Sequence, residues 1–492
     1  MKPKFRTKKN LSLQARHQTA MFMAVYTLLM TLGISLFFFS YCGFRAHCFN
    51  GLQLVLFSSP CAFLLIFFIY GWYNAKSNSS LMFYLIAVPA VVSFGLFLLP
   101  NNVPDESAHI WQAVALFSRS QNGFKVISLF QDGSFPLSYA DYFHAMVSTS
   151  DWSDVFWCER YLSYSSHLYL LPGLVLNLAK CFGFNAFIAL SASRVLAGLF
   201  YCFAGYWILE CVPSGKTAVT IFLLNPILLQ QEASVSADSI TNIVAIGYVV
   251  LIIRLASGVT YTKKTVAILF VSTVLLLVSK VMFFPLVLLN IIHWRRIKGN
   301  RGYWCFAALC FVTIAMAGVL FISLYRGSFM PDSFALMRAP LHCAKVFIKS
   351  IWEMGPFWFQ SYAGFNLGAL SISVWPFCFW LYIIVQSIVL FYNDENNKRF
   401  LCCTDRFVMI AVVFINFFLI VMTMRNWTLN VDKREDIIMG IQGRYLIPLV
   451  LPVLLCILRP IKSNSDGHVL LYSSMLMCGI LFFDFISIIT AF

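Results

Sequence analysis

Apolar runs long enough, or nearly so, to cross a membrane recur from one end of this chain to the other. Nothing else limits the fold so sharply. They lie at 21–41, 53–73, 81–99, 187–211, 217–233, 238–256, 265–280, 281–294, 302–324, 372–392, 407–424, 441–458 and 468–489. A helix needs about 20 residues to cross the hydrocarbon core squarely, so the two short runs flanking Lys280 read as broken or tilted helices. The expectation is an all-α polytopic membrane protein with about 13 transmembrane helices. Composition agrees: 60% of the 492 residues are hydrophobic and 11% are charged, against about 25% charged in a soluble domain. A soluble enzyme, a disordered chain and a secreted disulfide scaffold are excluded.

Charge orients the layout. Lys2, Lys4, Arg6, Lys8, Lys9 and Arg16 precede the first run and no small-residue cleavage site follows it, so it reads as a retained span. The segments then assigned to the cytoplasm hold 20 of the 35 Lys and Arg in 73 residues, and the outer loops hold 12 in 165. That is the sign expected of cytoplasmic loops, and 12 of the 20 acids lie in the outer loops. The net charge of +15 is therefore read as loop bias and not as nucleic-acid binding. The partition is a cytoplasmic basic terminus at 1–20, three spans over 21–99 and an outer loop at 100–186. Central spans follow over 187–324, a second outer loop over 325–371 and C-terminal spans over 372–492. Residues 167–183 are apolar, yet counting them as a span would move RRIKGNR at 295–301 outside. They are read as an interfacial helix on the outer surface.

The 15 cysteines show no CxxC and no Cys/His cluster at metal-ligand spacing. Cys42, Cys48, Cys158 and Cys343 fall outside, which leaves an isolated Cys42–Cys48 bridge open.

Three signals carry chemistry. The first outer loop opens with PDESAH at 104–109. Asp105 and Glu106 there are either a helix cap with a first-turn acid or a carboxylate pair at a cavity mouth, one member a general base. His109, one turn on, is placed to orient Asp105 or to sit simply on the surface. The second signal is SVSADS at 234–239, where Asp238 and Ser239 start a helix at the outer face and helix capping is again the plain reading. The third is a set of cations at outer helix ends, Arg194, Lys280 and Arg444. Charges at such positions are costly and face interior cavities. Three on the side of the acids point to an anionic ligand, for which a lipid phosphate is the natural candidate.

PDESAH resembles the PDEPAH box of a bacterial family of predicted membrane proteins grouped with the GT-C glycosyltransferases. The family pattern continues with an Arg-bearing helix, an S-x-D-S turn, a lone Lys before an aromatic/Pro stretch and a late QGRYxxP box. The chain supplies Arg194, Ser236 through Ser239, Lys280 ahead of Phe283, Phe284 and Pro285, and Gln442-Gly443-Arg444-Tyr445 with Pro448. Gln360, Gly364, Gly368 and Pro376 resemble the family's Gln-x-x-Gly…Gly…Pro stretch. The resemblance runs from about 81 to 460, and it departs at Ser107, where the family has Pro, and in an extra pair of spans before the acidic box.

The resemblance implies a GT-C-like fold with a long catalytic first outer loop containing interfacial helices. It implies transfer of a sugar from a polyprenyl-phosphate donor to a glycan or lipid acceptor, in the cytoplasmic membrane of a bacterium with the active site facing outward. Asp105 is the preferred base, with Glu106 its partner or the base itself. Arg194, Lys280 and Arg444 would hold the donor phosphate, in a box with Gln442 and Tyr445, and Asp238 and Ser239 would orient sugar hydroxyls or a cation. Trp111, Trp152, Trp157 and Trp358 are candidate sugar platforms, although membrane-interface anchoring is the commoner role of a Trp. No residue pattern demands a metal, although Asp105 and Glu106 leave room for Mg or Mn. The rival functions are a polysaccharide polymerase or ligase and a lipid-linked sugar transporter. A transporter would call for mid-span acids, of which Asp484 is the main case.

Overall fold

The computed structural model describes residues 4–75, 78–117, 137–148, 152, 165–258, 262–294, 315, 331–393, 401–458, 461–462 and 468–492. The expected span at 302–324 apart from Ala315, most of the first loop between 118 and 164, Trp157 and Cys158 lie outside the described residues.

The described chain is helical almost throughout. α1 (Lys4–Arg45) and α2 (Gly51–Ala75) form an antiparallel hairpin ahead of α3 (Ser79–Phe97). Two short helices, α4 (Glu106–Ala115) and α5 (Tyr139–Val147), come next, and a 3-10 turn, Ser166–Tyr169, leads into α6 (Leu170–Cys181). The central group is α7 (Ala186–Cys211), α8 (Lys216–Leu223), α9 (Pro226–Glu232), α10 (Ala237–Ala256) and α11 (Lys263–Val278). A 3-10 segment, Val281–Leu289, runs into α12 (Asn290–Trp294). Then come α13 (Pro331–Met337), α14 (Pro340–Tyr362), the hairpin β1 (Asn366–Leu367) with β2 (Ile372–Ser373), and α15 (Pro376–Phe391). The last elements are β3 (Tyr392–Asn393), α16 (Cys403–Thr423), α17 (Arg425–Val431), a 3-10 turn at Gly443–Leu446 leading into α18 (Ile447–Ile457), β4 (Ile461–Lys462) and α19 (His468–Ala491).

Among the described residues, six helices are long and apolar enough to cross a membrane: α1 from His17, α3, α7, α10, α16 with α17, and α19. The most apolar stretch of α3 is 83% buried, against 28% in α1 and 33% in α19. α3 is therefore the axis of the bundle, and α1 and α19 present most of their surface outward. Close packing of α3 on α7 depends on glycine. A Cβ at Gly198 would lie 2.7 Å from Val91 Cβ, and one at Gly205 2.5 Å from a Phe83 ring carbon. Small residues let helix backbones approach where dispersion, not water exclusion, drives association.

Two expected spans take a different form. The run 217–233 is not one helix: α8 stops at Leu223 and α9 starts at Pro226. Pro226 has no N–H to continue the ladder, and the Asn225 side chain caps the new helix by accepting from Leu228 N at 3.0 Å. Non-helical backbone at membrane depth is tolerated when protein surrounds it, and residues 217–233 are buried throughout. The chain also breaks at Ser279–Lys280, between α11 and the 3-10 segment, as the short runs there led one to expect. α6, in the segment 167–183, has 12 residues, about 18 Å of helix. That is short of a crossing. Cys42 and Cys48 do not pair: both are free, with Cys42 buried and Cys48 exposed and turned toward the Ala46 carbonyl. Cys343 is free and buried.

Candidate functional site

Where α3 ends, the chain turns through Leu98–Pro104 into α4, and two adjacent acids leave this turn for different surroundings. Glu106 is fully buried. Its carboxylate takes Arg194 Nε at 2.7 Å and Arg194 Nη2 in a two-point pair, and accepts from the backbone N–H of Asn101 and Val235. Two further guanidinium N–H groups donate to the Leu98 and Leu99 carbonyls, at 2.6 and 3.4 Å. Leu98 is the cap residue of α3, so its carbonyl is one that a helix end leaves without an intrahelical partner. Arg194 thus clamps the end of α3 to the start of α4 with four of its five N–H donors.

Asp105 sits in the left-handed region, with φ 61°. A non-glycine residue there is strained, least so for Asn and Asp. The carboxylate makes no capping bond to α4. Instead it accepts from Arg444 Nη2 at 3.0 Å, with its side chain 48% exposed. The capping reading therefore does not hold for Asp105.

Arg444 links the two acid motifs. Its Nη1 donates to the Pro104 carbonyl at 3.1 Å and lies 3.5 Å from Asp238 Oδ2. Asp238 Oδ1 accepts from Lys280 Nζ at 2.5 Å. Ser236, not Asp238, caps α10, its Oγ accepting from Asp238 N, and this releases the Asp238 carboxylate. The Tyr445 ring packs against both cations, 5.4 Å from Lys280 Nζ and 5.1 Å from Arg444 Cζ. Its hydroxyl accepts from Arg444 Nη2 at 3.2 Å. The order Asp105, Arg444, Asp238, Lys280 makes an alternating row of four charges at the bundle end where α3 stops. The outer two links are charge-assisted hydrogen bonds, and the middle one is an ion pair at 3.5 Å without a hydrogen bond.

His109 lies beside this row. Its Nδ1 is 2.7 Å from the Tyr169 hydroxyl. Burial, reinforced by the Lys280 charge, pushes its pKa down to about 3, so the ring is neutral at physiological pH.

The backbone of the late box is held from α14. Gly443 N donates to Ser361 Oγ at 2.8 Å, and a Cβ on Gly443 would overlap the Tyr362 backbone N. Glycine is required there to seat Arg444. Gln230 in α9 pins the β-hairpin by bonding Gly368 both ways, its Nε2 to the Gly368 carbonyl at 3.0 Å and its Oε1 from the Gly368 N–H at 2.8 Å. Between these walls lies a narrow crevice of about 10 Å³, bordered by Pro104, Gln230, Gln231, Gly368, Gln442 and Arg444.

Of the residues expected at the site, the fold brings Asp105, Asp238, Lys280, Arg444 and Tyr445 into one cluster, with Gln442 on the crevice and His109 alongside. Glu106 and Arg194 pair off beneath it, so neither has the open face expected of a base or a phosphate ligand. Ser239 turns away, donating to Glu232 Oε2 at 3.0 Å. Trp358 is a core residue against Phe417, and Trp152 donates to the Phe184 carbonyl; neither bond nor contact is a sugar platform. Asp105 and Glu106 do not fit a shared metal site, because Arg194 and two backbone N–H groups occupy the Glu106 carboxylate. Among the described residues no group of three or more His, Cys, Asp or Glu could hold a metal ion. The sequence reading passed over Gln230, Gln231 and Glu232. The tripeptide QQE closing an apolar run just before SVSADS was the available signal.

Residues 92–453 match the model of a family described as predicted membrane protein (DUF2142). No curated protein and no solved structure gives a significant match.

Proposed function

The chain belongs to the DUF2142 family of predicted membrane proteins, and from that premise we propose that it is an integral-membrane glycosyltransferase of the GT-C type. It takes a sugar from a polyprenyl-phosphate donor and passes it to a glycan or lipid acceptor at the outer face of a bacterial cytoplasmic membrane. The observation that carries this reading is the row Asp105, Arg444, Asp238, Lys280, which sets one half-exposed carboxylate beside two buried cations. The PDESAH and QGRYxxP resemblances supply the reaction class.

In this reaction the acceptor hydroxyl oxygen attacks the anomeric carbon. The bond from that carbon to the donor phosphate breaks, and its electron pair leaves with the polyprenyl phosphate. The hydroxyl proton passes to Asp105, and the sugar inverts its configuration. Asp105 suits the base because it alone of the two acids in the box reaches the surface. A base must come within hydrogen-bond reach of the proton it takes, and the left-handed turn holds Asp105 at the rim. Arg444 and Lys280 stabilise the charge growing on the leaving phosphate, an effect that is large for pre-positioned donors in a dry site. Asp238 and the Tyr445 ring keep the two cations apart and fixed. The Glu106–Arg194 pair has a separate task, holding the turn that presents Asp105.

The test uses the full-length protein in lipid nanodiscs, supplied with undecaprenyl-phosphate hexoses and a cell-envelope glycan acceptor. Release of undecaprenyl phosphate that depends on the acceptor is the expected result. Release unaffected by Asp105→Asn would refute the assignment of the base, and absence of release across the hexose panel would refute the reading as a whole.

A further inference from the structure

α14 meets the bundle with one of three faces. Cys343, Val346, Phe347, Ser350, Trp358 and Ser361 are buried, and at about 100° per residue they share one sector of the helix. The next sector is apolar and open. Leu341 is 88% exposed, Ile348 65% and Trp352 85%, and exposed Phe359 continues the stripe. Their spacing of 7, 4 and 7 residues keeps all four close to one line along a helix. The third sector carries His342, Lys345, Lys349 and Glu353. Contacts with α16 fix the course of the helix. Cys343 Sγ lies 3.9 Å from Met422 Sδ, and Trp358 meets Phe417 edge-on with ring centroids 5.7 Å apart. Between these contacts α14 advances by about 22 Å and α16 by about 8 Å, and Met422 and Phe417 stand about 140° apart around α16. α14 therefore crosses over α16, nearer to the membrane plane than to the direction of the spans.

We propose that α14 is a membrane-surface helix. Its stripe Leu341, Ile348, Trp352, Phe359 enters the leaflet at the end of the bundle where the charge row lies, and Lys345 binds the phosphate of an anionic phospholipid there. A contiguous apolar stripe left this open marks a contact surface. On a helix lying in the membrane plane, an apolar sector bordered by a basic one is the pattern that seats a helix between acyl chains and headgroups. Trp at position 352 suits that boundary, where its ring is favoured. Lys345 stands between the apolar and polar sectors, so its stem can follow the stripe while the ammonium stays with the headgroups. Lys349, one turn on, is engaged by Asp436 and Glu353. Lys345 is exposed and makes no ion pair among the described residues, which leaves its charge for a lipid. The contact needs no sugar and no transfer chemistry, yet it bears on the site. Ser361, in the last turn of α14, accepts from Gly443 N at 2.8 Å, so the helix resting on the leaflet also seats the turn that carries Arg444.

The experiment places the full-length protein in nanodiscs of phosphatidylcholine and phosphatidylglycerol in equal amounts. The photoreactive residue p-benzoylphenylalanine replaces Trp352, Ile348 or His342 in turn, and cross-linked products are weighed by mass spectrometry after irradiation. All three positions and Lys345 are exposed, so no packed core is altered. Phospholipid adducts are expected from positions 352 and 348, and few from 342 on the polar sector. Phosphatidylglycerol adducts at position 352 should outnumber phosphatidylcholine adducts by about fivefold, the worth of one cation near an anionic surface. Lys345→Gln should bring that ratio close to one with the adduct yield unchanged, and Lys345→Arg should preserve it. Absence of lipid adducts at 352 and 348, cross-links from 352 to a second copy of the chain, or equal lipid adducts at 342 each overturn the membrane contact. A phosphatidylglycerol preference that survives Lys345→Gln, or no preference in the wild-type background, overturns the Lys345 site.

Discussion

Asp105 and Arg444 stand 339 positions apart in the chain and meet in a 3.0 Å hydrogen bond between carboxylate and guanidinium. The pair joins the first acidic box to the last basic one, and the same guanidinium reaches on toward Asp238. One residue further along, Glu106 makes an ion pair of a different kind, sealed from solvent on both sides. Two neighbouring acids thus have separable jobs.

Asp105→Asn keeps the side chain's shape and removes the base. Turnover in the nanodisc assay is expected to fall by about 10²–10⁴-fold. Thermal stability should stay near that of the wild type, because an ion pair with a half-exposed partner contributes at most about 1 kcal/mol. Rate and melting temperature measured on the same preparation check both parts.

Glu106→Ala and Arg194→Ala should show the opposite pattern. Removing one member of a buried pair strands the other charge, at about 3–5 kcal/mol. The expected outcome is loss of monodisperse, folded protein in size-exclusion chromatography. Replacing both residues with leucine should recover part of that yield, since an apolar pair leaves no stranded charge. Normal yield of either single alanine variant would show that the clamp is dispensable.

Gly443→Ala is a small change at a site with no room. The new Cβ would overlap the Tyr362 backbone, so the turn must move and take Arg444 with it. Activity is expected to fall even where folded protein is recovered. The loss should exceed that of Gly479→Ala, where a Cβ meets nothing within 4 Å.

His109 predicts a pH dependence of stability. Its folded pKa is pushed down from 6.5 to about 3 by burial, so between those values the unfolded chain binds a proton that the folded one does not. The stabilisation is complete above about pH 6.5 and declines as pH falls, by up to about 1.4 kcal/mol per unit. His109→Gln should flatten the curve of melting temperature against pH over that interval. Curves that run parallel for variant and wild type would contradict the assignment.

Much of the framework is legible in the residues. The α3, α7, α10, α16 and α19 helices fall where apolar runs announced them, because an apolar stretch of some twenty residues is a local property. The broken chain at Ser279–Lys280 was legible from run length. The break at Asn225–Pro226 was not, since the apolar residues on both sides conceal it in any window average. The cluster was legible in its members but not in its pairings. PDESAH, SVSADS, Lys280 and QGRY were visible as separate motifs, and only the fold says which acid faces which cation.

The sequence by itself determined a helical membrane protein and the set of charges at one end of its helices. Hydropathy and motif identity are written in contiguous residues. What tertiary structure decided is the use of each charge. Asp105 and Glu106 are adjacent acids of similar chemistry, yet a left-handed backbone at Asp105 sends one to the surface and the other into the core. Arg194 and Arg444 are likewise two arginines, one inside α7 and consumed 88 positions away by Glu106, the other in the turn before α18 and paired with half-exposed Asp105. Burial and pairing depend on what distant segments bring alongside, and charge energetics in a dry interior follow that proximity, not the order of the chain.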